Sequence, residues 1–205
     1  MSIVELRQYT LRPGARDTLI SLFEREFVTG QESVGITVGG RFHDVDDPDR
    51  FVWLRAFPDM AARARALSAF YYGPVWQAHR DEANATMLDS DNVLLLNGPG
   101  FTPPPEAEAV TLTICHPRRP PDFAEYFTQH VRPALAAADL PPLGVHRTEH
   151  AENDFPALPV RTGEDVFLWF TAGASAPDLP WSTELLTRLH TAPQRLRLAP
   201  VGTTR

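Results

Sequence analysis

One arrangement is written twice along these 205 residues, and that repetition constrains the fold more than any single motif. Each half reads strand, helix, strand, strand, helix, strand. The halves also correspond in detail. Val4-Glu5-Leu6-Arg7 lies over Val110-Thr111-Leu112-Thr113, and Phe51-Val52-Trp53 over Phe167-Leu168-Trp169. A sheet covered by helices on one face has to bury its other face. Two such units in one chain can do this for each other, sheet to sheet, as a closed eight-stranded barrel with helices outside.

Periodicity and chain breakers supply the elements. Residues 3–11 alternate: Ile3, Glu5, Arg7, Tyr9 and Leu11 share one face of a predicted strand, and Val4, Leu6, Gln8 and Thr10 the other. Arg12-Pro13-Gly14 is a turn signal, and Leu19, Leu22, Phe23 and Phe27 then recur at helical spacing, predicting a helix over 15–27. A second strand over 34–45 is interrupted by Gly39-Gly40, where a bulge is expected. The Asp46–Asp49 turn leads to a third strand over 51–57, and a helical stretch over 60–85 is broken at Pro74 before a strand over 92–96. The second half predicts strands over 110–115, 145–149, 166–171 and 195–201, helices over 123–138 and 180–189, and a Pro-rich loop over 153–165. The order βαββαβ is the ferredoxin-like split unit. The fold class is therefore α+β: two tandem ferredoxin-like units, residues 1–98 and 108–205, joined by a Pro-rich linker over 99–107 and packed sheet to sheet.

A chain of this size can bury enough surface to be stable without metals or disulfides. The net charge of −7 argues against a nucleic-acid surface, and all 19 basic residues are arginine, which suits anion and aromatic recognition. Cys115 is the only cysteine, so no intramolecular disulfide forms, and a reducing, cytoplasmic setting is expected. The chain starts directly in a strand pattern and contains no run of 18 apolar residues, so neither a signal peptide nor a membrane span is predicted.

Two stretches carry a resemblance. The opening Val4-Glu5-Leu6-Arg7-Gln8-Tyr9-Thr10-Leu11-Arg12-Pro13-Gly14 resembles that of NIPSNAP-family domains. So does Phe51-Val52-Trp53-Leu54-Arg55-Ala56-Phe57-Pro58-Asp59, followed by Gly73-Pro74-Val75-Trp76-Gln77-Ala78-His79-Arg80. The resemblance covers roughly residues 1–97; the second half resembles it only in layout. It implies the dimeric α/β-barrel superfamily, in which the sheet is buried by dimerisation or by tandem duplication. That superfamily hosts small cofactor-free oxygenases, isomerases, dehydratases and haem enzymes. NIPSNAP domains have no single agreed activity, so the resemblance speaks to fold more than to function.

The first and third strands are central neighbours in such a sheet, so Glu5, Arg7, Tyr9, Trp53 and Arg55 are expected to form one polar and aromatic patch. Charges are rarely buried without partners. Two arginines there could fix a carboxylate, enolate or phenolate, and Tyr9 could donate or relay a proton. The bland alternative is a satisfied structural network. Alternation leaves open whether this face meets the helices or the barrel interior. Tyr9 and His79 are the candidate catalytic residues, with His79, on the second helical piece, read as a general base or, less readily, a haem ligand. Glu5, Arg7, His43, Trp53, Arg55, Tyr72 and Trp76 are the candidate substrate contacts; of Tyr71 and Tyr72 only one can point inward. In the second half Thr111, Thr113 and Cys115 replace Glu5, Arg7 and Tyr9, and Thr171 replaces Arg55, so a site is expected in the N-terminal unit only.

His146 and His150 straddle a predicted strand end, which is weak metal geometry, and no metal is predicted. No Gly-rich phosphate loop, nucleophile elbow or Cys-x-x-Cys is present, and no cofactor is expected. The expected ligand is a small apolar, acidic or phenolic molecule, handled by a cofactor-free oxygenase, isomerase or cyclase. The alternative is a non-catalytic binding or scaffold protein. Nucleic-acid and membrane partners are not expected, and a homodimer is compatible with the fold.

Overall fold

The computed structural model describes residues 2–173 and 182–202. Its strands are β1 (Ile3–Leu11), β2 (Thr37–Asp44), β3 (Arg50–Phe57), β4 (Met87–Asp89), β5 (Val93–Asn97), β6 (Val110–Cys115), β7 (Gly144–Thr148), β8 (Phe167–Ala172) and β9 (Gln194–Pro200). Pairing runs β1–β3–β2–β9–β6–β8–β7–β5 and back to β1, so eight strands close on themselves, all antiparallel. The short β4, which periodicity did not reveal, extends the end of β1. Within each half the pairing order is the same. The halves are joined along two short seams, Phe42 to Asp44 against Leu198 to Pro200, and Leu96-Asn97 against Arg147-Thr148.

Even-numbered β1 residues point into the barrel. There Val4 and Leu6 meet Phe42, Val52, Leu54, Leu94 and Leu96 from their own half and Val110, Leu112, Ile114, Leu168, Phe170 and Leu198 from the other. Side chains fill this interior as in other eight-stranded barrels. Burial of each large apolar side chain contributes roughly 1.5–3 kcal/mol. Residues 99–107 form no helix or strand, but they pack into the fold. Phe101 is buried and stacks on Phe170 with ring centroids 3.9 Å apart. Its carbonyl accepts from Gly40 N, and a Cβ at Gly39 would lie 2.5 Å from the same oxygen. The β2 register shift between Val38 and Arg41 is thus the expected bulge, shaped around the linker.

Helices cover the outside. α1 spans residues 16–32 as three continuous pieces, Arg16–Leu22, a π-helical Phe23–Phe27 and Val28–Glu32. It runs five residues past the predicted end, because its last turn buries Gly30 and Gln31 and so carries no apolar rhythm. A Cβ at Gly30 would meet Val75 Cγ1 at 2.9 Å, so glycine there permits close helix approach. α2 (Met60–Tyr71) starts at Asp59, whose carboxylate caps Ala62 N at 2.7 Å. α3 (Pro74–Thr86) follows the predicted break. α4 covers residues 120–137 and repeats the π-helical turn at Phe127–Val131. α5 (Ser182–Thr187) lies within the helix predicted over 180–189, whose first two residues fall outside the described residues.

Candidate functional site

Odd-numbered β1 residues face the helices, not the barrel interior, and there the structure assembles a buried charge cluster. Glu5 is its hub. Its Oε2 accepts from Arg7 Nη1 and Arg55 Nε, each at 2.7 Å, and its Oε1 accepts from Arg63 Nε at 2.7 Å. The Nη2 atoms of Arg55 and Arg63 stand at 2.7 Å as well, as ion-pair contacts off the hydrogen-bond line. All four side chains are buried. Strand register explains half of this: Glu5 is paired directly with Arg55, and Arg7 with Trp53. α2 supplies Arg63.

Electrostatics follow from burial and proximity. Burial opposes the Glu5 charge, but Arg55, Arg7 and Arg63 overcome it and hold the carboxyl well below the usual range. Burial also works against the Arg7 charge, and Tyr9 and Glu5 outweigh it, raising Arg7 above its ordinary value. For Tyr9, burial raises the phenol pKa, Arg7 opposes the rise, and Tyr71 adds to it. Tyr9 is therefore a neutral hydrogen-bond donor at physiological pH, not a base.

The cluster backs two tyrosines. Arg7 Nε donates to Tyr9 Oη at 3.0 Å, and Arg55 Nη1 donates to Tyr71 Oη at 3.3 Å and to Gln31 Oε1 at 3.1 Å. Neither tyrosine hydroxyl donates to an acceptor among the described residues. Trp53 Nε1 is likewise buried without a partner. Tyr9, Tyr71, Trp53 and Gln31 line one cavity of about 20 Å³, closed by Phe23, Phe27, Phe70, Trp76 and Met87. Phe23 and Phe27 are the ends of the π-helical turn, a distortion often found at functional sites. The cavity has room for about one water. Wider clefts of about 310, 520 and 540 Å³ are lined mainly by residues of the C-terminal half, and none by these residues.

The sequence candidates separate. Glu5, Arg7, Tyr9, Trp53 and Arg55 are brought together, and Trp76 closes the cavity. Tyr72 is placed elsewhere: it is 71% exposed, and Tyr71 takes the inward position. His79 sits at the outer surface, its Nε2 3.5 Å from Glu26, and does not line the cavity. His43 is half-buried beside α1, where burial first and then Arg16 lower its pKa. Arg63, Gln31 and Asp154 were not anticipated, and Tyr71 was named only as the alternative to Tyr72. Arg63 had a readable signal, an arginine on the same helical stripe as Leu67 and Phe70; Tyr71, four residues after Leu67, shares that stripe. Asp154 had none.

The fold and site define a closed α/β barrel whose polar, cavity-bearing layer lies in the N-terminal half. Among known proteins, residues 4–98 match the NIPSNAP family model. A NIPSNAP-like domain protein from Burkholderia xenovorans is 30% identical over 50% of this chain and 90% of its own, with a TM-score of 0.44. Residues 4–98 thus belong to the NIPSNAP family. Over nearly its whole length the fold is similar to that of a candidate monooxygenase from Fusobacterium nucleatum, with 11% identity, coverage of 98% and 92%, and a TM-score of 0.65. It is also similar to an anthrone oxidase-like protein, with 13% identity, coverage of 98% and 91%, and a TM-score of 0.63. No curated protein matches the sequence.

Proposed function

We propose that residues 1–98 and 108–205 are two ferredoxin-like units standing in one chain for the halves of a barrel dimer, and that the N-terminal unit binds the anion of a small phenolic, enolic or carboxylic acid. One observation carries the reading: two hydroxyls, each polarised by a buried arginine, and an indole N–H share one cavity and lack acceptors. Buried donors without partners are costly, and an oxygen anion would satisfy all three. Stabilising an enolate or phenolate lowers the pKa of the bound molecule, and that is the activation a cofactor-free oxygenase, isomerase or cyclase needs. Tyr9 donates to the anion and Arg7 holds Tyr9 in place. The oxygenase-type names of the structural neighbours agree with this chemistry.

A ring-sized ligand needs a wall of the cavity to move outward. The test is 4-nitrophenol, whose phenolate is coloured. On the intact chain, binding is expected to quench Trp53 and Trp76 fluorescence and to ionise the phenol at lower pH than in free solution. Tyr9→Phe is expected to weaken the second effect. A second reading, a non-catalytic scaffold with a structural polar core, is favoured by the one-water size of the cavity and the saturation of Glu5. It prevails if no phenol or aromatic acid binds.

A further inference from the structure

We infer that Asp154, lent by the C-terminal half, sets the ligand of the N-terminal cavity at a single negative charge; this deepens, and rests on, the anion-binding reading. The loop between β7 and β8 crosses onto the other half. Asp154 Oδ1 pairs with Arg63 Nη1 at 2.6 Å, and Asn153 Oδ1 accepts from the same nitrogen at 3.0 Å. Phe155 is 6% exposed and stacks on Tyr71 with centroids 6.0 Å apart. Leu158 and Val160 pack on the same N-terminal core.

Within the cluster, the guanidiniums of Arg7, Arg55 and Arg63 face the carboxylates of Glu5 and Asp154, which leaves one positive charge. Its location follows from the contacts. Arg63 has Asp154 and Glu5 Oε1, while Arg7 and Arg55 share Glu5 Oε2. The undercompensated pair is the one that polarises Tyr9 and Tyr71. No Asp, Glu, Arg or His lines the cavity. A monoanion neutralises the site; a dianion overcharges it and desolvates a second charge for no partner. Asp154 touches no ligand in this scheme. It is a positioning residue acting through Arg63.

The experiment compares benzoate with phthalate by calorimetric titration of the full chain. The unaltered protein is expected to bind benzoate more tightly. Asp154→Asn is expected to shift the benzoate-to-phthalate affinity ratio about tenfold toward phthalate, the size of one unit charge acting at long range through an effective dielectric of about 20. Asp154→Glu is expected to keep the original ratio, which a purely structural role for the loop does not require. Preference for phthalate in the unaltered chain overturns the inference without any variant needing to fold. An unchanged ratio in Asp154→Asn, with benzoate still bound, overturns the inference and leaves the anion site standing. Binding of neither acid removes both.

Discussion

In the N-terminal half Glu5 sits opposite Arg55 and Arg7 opposite Trp53; in the C-terminal half, at the corresponding places, Thr111 sits opposite Thr171 and Thr113 opposite Trp169. The backbones are in matching register, and both first helices carry a π-helical turn. The contents differ. The C-terminal layer is packed with Phe123, Phe127, Phe167, Trp169 and Leu189. Thr111 Oγ1 donates to Gly173 O at 2.8 Å, while Tyr126 Oη and Arg188 Nε are buried without a hydrogen-bond partner, so unpaired polar atoms occur in both layers. Burial pushes the Cys115 thiol up to about 12, so it behaves as a small apolar filler. Buried charge is at best a neutral substitute for such packing. The buried Glu5 charge cluster, rather than unpaired polar atoms as such, is what separates the two layers, and the proposed anion site rests on it.

The comparison breaks most sharply at Glu5. Glu5→Gln leaves the buried guanidiniums of Arg7 and Arg55 without an anion and Arg63 with Asp154 alone, and the expected loss is about 3–5 kcal/mol by urea denaturation. A loss below about 1 kcal/mol would show that the cluster is not the hub drawn here. The same residue sets an acid limit. Because its folded pKa is depressed, its contribution is fully present above the unfolded value of about 4.3 and is lost as pH falls from there toward the folded value. Glu5→Gln should flatten that limb of the stability profile.

Tyr9→Phe removes the acceptor of a charged donor, with an expected cost of about 1.5–3 kcal/mol, read from the shift in denaturation midpoint. A cost near zero would mean that Arg7 is held by Glu5 alone. Gly30→Ala is smaller. The added methyl meets Val75, and overpacking is partly offset by better helix propensity, leaving a net loss of about 1 kcal/mol. By the π-helical turns, the matching position in α4 is Ala134, where the methyl already exists. A stabilised Gly30→Ala would remove this difference between the layers. The smallest effect belongs to the C-terminal side. Thr111→Val deletes one neutral hydrogen bond and should cost no more than about 1.5 kcal/mol in the same assay, well under the Glu5 effect.

Much of this was legible beforehand. Alternation placed Glu5, Arg7 and Tyr9 on one face, and the order of elements made β1 and β3 neighbours, so the patch with Trp53 and Arg55 followed from pattern. The Gly39-Gly40 bulge and the break at Pro74 were equally local, because glycine and proline act through backbone geometry. The choice between Tyr71 and Tyr72 was local too, since helix phase puts Tyr71 on the stripe of Leu67 and Phe70. His79 illustrates the opposite: it lies at the outer surface beside Glu26, and that depends on how α3 packs on its neighbours. Arg63 was missed although its stripe was visible, since an arginine among apolar residues is ambiguous until a buried partner is known.

The amino-acid order by itself determined the element sequence, its recurrence along the chain and the two-faced character of each strand, because these depend on near neighbours and on period. Only the tertiary structure decided which face meets what. A strand in a closed barrel is buried on both sides, so hydrophobicity does not tell the filled interior from the helix-covered layer. It also decided that Arg63 would pair with a carboxylate 91 residues away, on a loop from the other half. That contact exists because chain folding carries the loop across the seam, and it joins the two units at the one place where their chemistry differs most.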